Sequence, residues 1–185
     1  MAHALTKEQL ENLFWKVTMI LLDLDPESTS QAVQKHVRIS WPESDDGNST
    51  WERNENTVFL RISPVQDDYN LYETDYKYNL QSDSLTEVVD YHRCFSINWV
   101  CYGPGSLEEA DKIRAGIFRQ DIRLLLRKNK LAFIPKVREP VRIPELDESG
   151  QWWERYDLTV NFYALTQHEF GSGMIETAPD VTIYY

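Results

Sequence analysis

The chain has 185 residues, a formal net charge of −11, 42% hydrophobic side chains and 12% aromatic ones. That is enough apolar material to bury one core and too much for a disordered chain. The acidic balance argues against a grip on nucleic acid, which rests on clustered Lys and Arg, and no apolar run nears the roughly 20 residues of a membrane span.

The opening MAHALTKEQL has no basic region followed by an apolar core, so no secretory signal is expected. Periodicity predicts a helix over residues 6–24. Thr6 and Gln9 form a capping box, and Leu10, Leu13, Phe14, Val17, Leu21 and Leu24 recur at helical spacing until Asp25-Pro26 stops it. Residues 27–35 are polar and fit no single pattern. His36–Trp41 reads as a short strand closed by Pro42, and a polar loop follows at about 43–56, with Trp51 its only large apolar residue. Val58, Leu60 and Ile62 alternate with Phe59, Arg61 and Ser63 in a strand expected to end before Pro64.

Residues 65–86 carry Tyr69, Tyr72, Tyr76 and Tyr78 among many acidic side chains. A structureless loop of that length inside a compact domain is improbable, so a projecting hairpin or docking arm is expected. A long strand follows from Tyr91. Tyr91, Phe95, Ile97, Trp99 and Cys101 point one way; His92, Cys94, Ser96, Asn98 and Tyr102 point the other. Cys94 and Cys101 therefore lie on opposite faces, about 23 Å apart, and a reducing compartment is expected.

Gly103-Pro104-Gly105 ends the strand, and Ser106 stands where a helix cap is expected, with Glu108 and Glu109 suiting the helix dipole. The helix is read as continuous to Lys128 and Asn129. On its wheel Ala110, Ile113, Ile117, Leu124 and Leu125 share a face that also holds Arg114 and Asp121. Charges there need partners, so either Arg114 and Asp121 meet a neighbouring subunit or the helix kinks near Gly116 and turns Asp121 to solvent.

Residues 131–143 look like an edge strand interrupted by Pro135 and Pro140, and residues 147–150 like a hairpin turn. From Trp152 to Leu165 the alternation is clear, with Tyr156, Leu158, Val160, Phe162 and Ala164 on one side. Residues 167–180 read as loop and Val181–Tyr185 as a last short strand. The expected fold is a single α+β domain over residues 1–185: a mainly antiparallel β-sheet with two principal helices packed on one face.

Chemistry is sparse. Asp67 and Asp68 followed by Asp75-Tyr76-Lys77 resemble the acid and D-x-K pattern of metal-dependent nucleases, but the spacing is short and no basic substrate face accompanies it. His92 and Cys94 share a strand face without a third ligand. No catalytic, metal or cofactor site is therefore assigned. Adjacent Trp152 and Trp153 must face opposite sides of a strand; with Trp51 they are candidates for a docking surface.

Taken together, VRISWP (37–42), VFLRISPVQDDYN (58–70), DYKYN (75–79), NWVCYGP (98–104), ADKIR (110–114), DIRLLLRKN (121–129) and GQWWERYDL (150–158) resemble the neck or tail terminator family of tailed bacteriophages and prophages. The likeness runs from about Val37 to about Phe162; residues 1–30 and 167–185 do not contribute to it. It implies a virion structural protein, assembled in the bacterial cytoplasm, that caps the head-proximal end of the tail tube as a ring, typically a hexamer. It further implies the tail tube protein, the sheath protein and the head–neck connector as partners, DNA only as passing cargo, and no membrane. Another neck or head-completion role is the nearest alternative.

Overall fold

Thr6 opens the first helix, α1 (Lys7–Leu21), by the expected capping box: its hydroxyl accepts from the Gln9 amide, and the Gln9 side chain accepts from its own. The computed structural model describes residues 5–39, 51–52, 54–66, 72–79, 84–146 and 150–172. α1 ends three residues earlier than periodicity predicts. Asp23 adopts a left-handed φ of +59°, and the Leu24 amide reaches back to the Met19 carbonyl at 2.8 Å, which closes the helix before Pro26 is reached. A short helix α2 (Gln31–His36) fills part of the stretch that fitted no pattern, and runs directly into β1 (Val37–Ile39).

Among the described residues the main sheet has seven strands. β1 pairs in parallel with β2 (Thr57–Val65), so the sheet is mixed. β2 and β3 (Tyr72–Asn79) both pair antiparallel with one side of β4 (Ser84–Tyr102). β9 (Arg155–Ser172) pairs along the other side of β4, and β5 (Leu131–Phe133) and β6 (Val141–Arg142) line the outer edge of β9. A separate two-stranded hairpin joins β7 (Glu145–Leu146) to β8 (Trp152–Trp153).

Several strand boundaries differ from expectation. β2 runs through Pro64 to Val65: among the described residues β1 pairs with it only as far as Leu60, and proline's missing donor is tolerated at such an edge. β4 begins at Ser84 rather than Tyr91, and its residues 84–91 pair with β3. β9 continues to Ser172 where sequence suggested a loop after Leu165, since β4 offers it a partner all the way to Leu85. Val181–Tyr185 and most of the 43–56 loop lie outside the described residues.

The expected single central helix is two: α3 (Ser106–Gly116) and α4 (Gln120–Lys128). Residues 117–119 form the corner, and no proline is needed to break the run. Gly116 lies against α1 so closely that an added Cβ would stand 2.5 Å from Leu21 Cδ2. The break re-aims every side chain after it, so Ile122 and Leu126 are buried while Leu124 is half exposed. Four helices, rather than two, therefore accompany the sheet among the described residues.

Ser106 is not the cap of α3. It is a fully buried first-turn residue, and Asn56 from a distant loop does the capping. Asn56 Oδ1 accepts from the Gly105 amide at 3.0 Å and its Nδ2 donates to Glu109 at 3.2 Å. His36 Nε2 meets the same Glu109 oxygen at 2.8 Å, so one carboxylate ties the α2–β1 segment, the loop and α3 together. Gly103, at φ +105°, is required here, because a Cβ would stand 2.6 Å from the Glu55 carbonyl oxygen.

The helix layer and the odd-numbered face of β4 enclose the main core, with Phe14 of α1, Ile113 of α3, Ile97 and Trp99 of β4, and Leu158 and Phe162 of β9 all fully buried. Its polar content is a short relay. Trp99 Nε1 donates to Thr18 Oγ1 at 2.8 Å, and that hydroxyl donates to the Phe14 carbonyl at 2.7 Å. Thr18→Val keeps the shape but strands the indole N–H in the core. It should lower unfolding free energy by about 1–3 kcal/mol, measured by denaturant titration.

Candidate assembly surfaces

Near Tyr102 the far face of the sheet is covered as well. Phe59, Val100 and Tyr102 form a second buried cluster there, roofed by Trp51 and Trp153. The rings meet edge-on: Trp51 is 4.6 Å from Phe59 and 6.0 Å from Trp153, and Tyr102 is 5.8 Å from Trp153. Of the three tryptophans read as docking candidates, Trp51 and Trp153 are thus largely spent on this cluster. Trp152 is different. It points away from it and is 65% exposed, directly across the β7–β8 ladder from exposed Leu146.

An ionic clamp holds that hairpin down. Arg155 binds Asp157 with two parallel bonds of 2.8 Å and reaches Glu145 of β7 at 2.7 Å, while the Tyr102 hydroxyl donates to the same Glu145 oxygen at 2.8 Å. Burial and the bond to Glu145 push the Tyr102 hydroxyl pKa up, and the bonds to Asp157 and Glu145 raise that of Arg155. Both remain protonated across ordinary pH. The Trp152–Leu146 knob is therefore presented on a fixed platform.

Arg114 and Asp121 are both paired within the subunit. Arg114 sits at 2.6 Å from Glu139 and donates to the Arg138 carbonyl at 3.2 Å, which pins the 134–143 segment to α3. Asp121 lies after the helix break, exposed, and is gripped by Arg119 at 2.7 Å; that bond is the main reason its carboxyl pKa is lowered. The wheel argument that placed it on the apolar face assumed a continuous helix. Any contact between subunits through either residue has these internal pairs to compete with.

The most open surface is the distal half of the long sheet, where β3 and residues 166–172 of β9 flank residues 84–91 of β4. Of residues 73–77, 85–91 and 166–171, only Val88 and Thr166 are buried. Tyr76 is 58% exposed and Phe170 52%. Tyr72 and Tyr78 take positions in β3 opposite Tyr91 and Leu85, and Tyr69 lies outside the described residues.

The nuclease-like pattern gains no geometry. Asp67 and Asp68 lie outside the described residues; Asp75 and Lys77 are exposed on β3, and Asp75 accepts from the Tyr76 amide. His92 is exposed beside Tyr163 and Cys94 is buried. Among the described residues no cluster of three His, Cys, Asp or Glu side chains is placed to hold a metal ion.

Sequence reasoning missed Leu146, Phe170 and the Arg155 clamp. Phe170 was out of reach because its strand was read as loop. Leu146 and Arg155 become visible only once the β7–β8 pairing is known.

Two substitutions separate the adjacent tryptophans. Trp152→Ser should leave unfolding free energy within about 0.5 kcal/mol of wild type, whereas Trp153→Ala should cost about 2 kcal/mol or more, both by denaturant titration. Arg155→Met should cost about 2–4 kcal/mol, because Asp157 and Glu145 lose their cation. Hydrogen exchange should then show faster amide exchange at residues 145–153.

A family model described as phage neck terminator protein matches residues 9–185. The match extends past both ends of the stretch that carried the resemblance, taking in all but the first two residues of α1 and the whole of β9. A comparison with curated proteins finds no match. Among the described residues no helix is long and apolar enough to cross a membrane. With nearly its whole length matched, the chain belongs to the phage neck terminator proteins, a family of virion structural proteins.

Proposed function

We propose that this protein caps the head-proximal end of the tail tube as a closed ring, stops tube polymerisation there, and offers its outer side to the head–neck connector. Membership of the neck terminator family supports a structural role at that junction. The observation that carries the reading is the distal half of the sheet. Three strands extend beyond the helix layer, with Tyr76 and Phe170 exposed. A surface of that kind on an isolated subunit is a cost in water, and burial against a neighbour offsets it.

The proposed division of labour starts from the exposure of Tyr76, Leu146 and Trp152. The strand arm around Tyr69, Tyr72, Tyr76 and Tyr78 meets a neighbouring subunit. Trp152 and Leu146, on the fixed β7–β8 platform, dock onto the tube protein or the connector. Capping is then steric: one face of the ring matches the last tube ring, and the other accepts no further tube subunit. DNA passes through the lumen as cargo. A net charge of −11 makes the protein a poor trap for phosphate.

Light scattering on purified protein, alone and with assembled tail tubes, tests the reading. The expected result is a ring, either free or formed on tube ends, together with tubes that no longer lengthen when tube protein is added. A subunit that stays monomeric and leaves tube growth unchanged would overturn it. Electron cryo-microscopy of particles separates the terminator from another neck or head-completion role, since only a terminator contacts the last tube ring.

A further inference from the structure

We infer that the helix-side face of the distal strands receives α4 of a second copy of this chain. The row Tyr76–Glu87–Phe170 belongs to one copy, and Arg123, Leu124 and Arg127 to the other. The inference rests on the ring reading above and names the contact that would close it.

The receiving row is fixed by register. Tyr76 lies opposite Glu87 across β3 and β4, and Glu87 lies opposite Phe170 across β4 and β9. Cross-strand neighbours share a face. Odd-numbered residues of β4 face the helices, as Phe95, Ile97 and Trp99 do in the main core, and the unbroken pairing with β9 carries that parity out to Glu87. Neighbouring strands are about 4.8 Å apart, so the two exposed rings stand about 10 Å apart with a carboxylate between them.

His168 extends the aromatic surface inward, 6.2 Å from Phe170 and stacked on Tyr91 at 5.8 Å. Among the described residues Glu87 has no ion-pair partner. A carboxylate flanked by aromatic faces suits a guanidinium, which gains both the charge and the ring quadrupole.

The inserted element is the anomaly of an acidic chain. α4 carries Arg123, Arg127 and Lys128, and among the described residues Arg127 and Lys128 have no ion-pair partner. Arg123 and Arg127 are four positions apart and so share a helix face. Leu124, 49% exposed, adjoins them, and Phe118 at the corner is 48% exposed. Cations among exposed apolar side chains match a protein face. A nucleic-acid backbone would pair the cations and leave Leu124 and Phe118 uncovered.

The contact is not made inside the subunit: among the described residues neither Glu87 nor Arg127 has an ion-pair partner, and Tyr76, Phe170 and Leu124 are left exposed. Two different patches meeting head to tail make a heterologous contact, the kind that closes into a ring.

The test uses full-length Glu87→Lys and Arg127→Glu, each checked for an unchanged melting curve, with mass read by light scattering under conditions where wild type forms its ring. Each single variant should weaken assembly by about 30-fold or more, since like charges then face each other. A 1:1 mixture of the two should recover the ring, because opposite charges again meet at every contact. Rings that survive both single changes overturn the assignment, as does a mixture of folded variants that fails to recover. Equally, if wild type binds a short DNA duplex and Arg127→Glu loses that binding with its mass unchanged, α4 is a nucleic-acid surface and the inference falls. A wild type that is monomeric both free and on tube ends defeats the ring reading itself, a result distinct from all of these.

Discussion

Every other element depends on the ladder between β4 and β9. All 18 residues of β9 pair with β4, from Tyr102 opposite Arg155 to Leu85 opposite Ser172. Side chains alternate along both strands, so a slip of one residue would exchange Ile97, Trp99, Val160 and Phe162 for Ser96, Asn98, Asn161 and Thr159. The main core therefore locks the register at one end. The same register then dictates which residues share a face at the other end, where Tyr76 and Phe170 stand exposed.

This unequal covering is the physical theme of the molecule. Near Tyr102 the sheet is enclosed on both sides, by the helices and main core on one and by the Trp51–Phe59–Tyr102–Trp153 cluster on the other. Toward Leu85 Tyr76 and Phe170 are left exposed on the helix side, although Val88 on the far face is buried. A strand pair about 60 Å long is far more than one small core can cover. On the proposed reading, a neighbouring subunit covers the excess.

Charge is spent in two ways. Arg155, Arg114 and Arg119 bind carboxylates of their own subunit and fix local geometry: the β7–β8 platform, the 134–143 segment and the start of α4. Among the described residues the cations farther along α4 bind no carboxylate, and Arg123 stands over the Phe133 ring at 6.0 Å. The distinction matters because an ion pair already made internally contributes little to a new contact unless its partner is replaced.

The sequence by itself determined the elements whose signals are local. α1 with its capping box, the alternating cores of β2, β4 and β9, the Gly103–Gly105 turn and the α+β class all follow from side-chain period and backbone chemistry. The recurring motifs also carried the family resemblance. Tertiary structure alone decided whatever depended on a distant partner. Asn56 displaced Ser106 as the cap of α3 because it arrives from a loop 49 positions away. The helix broke at 117–119 beside Leu21, and that turned Asp121 to solvent and Ile122 into the core. β9 outran its own alternation because β4 lay beside it, and Trp153 was buried while Trp152 was left exposed because β7 pairs with β8. Local patterns encode what a residue prefers; which of two faces becomes a core, and which a surface, is set by what packs against it.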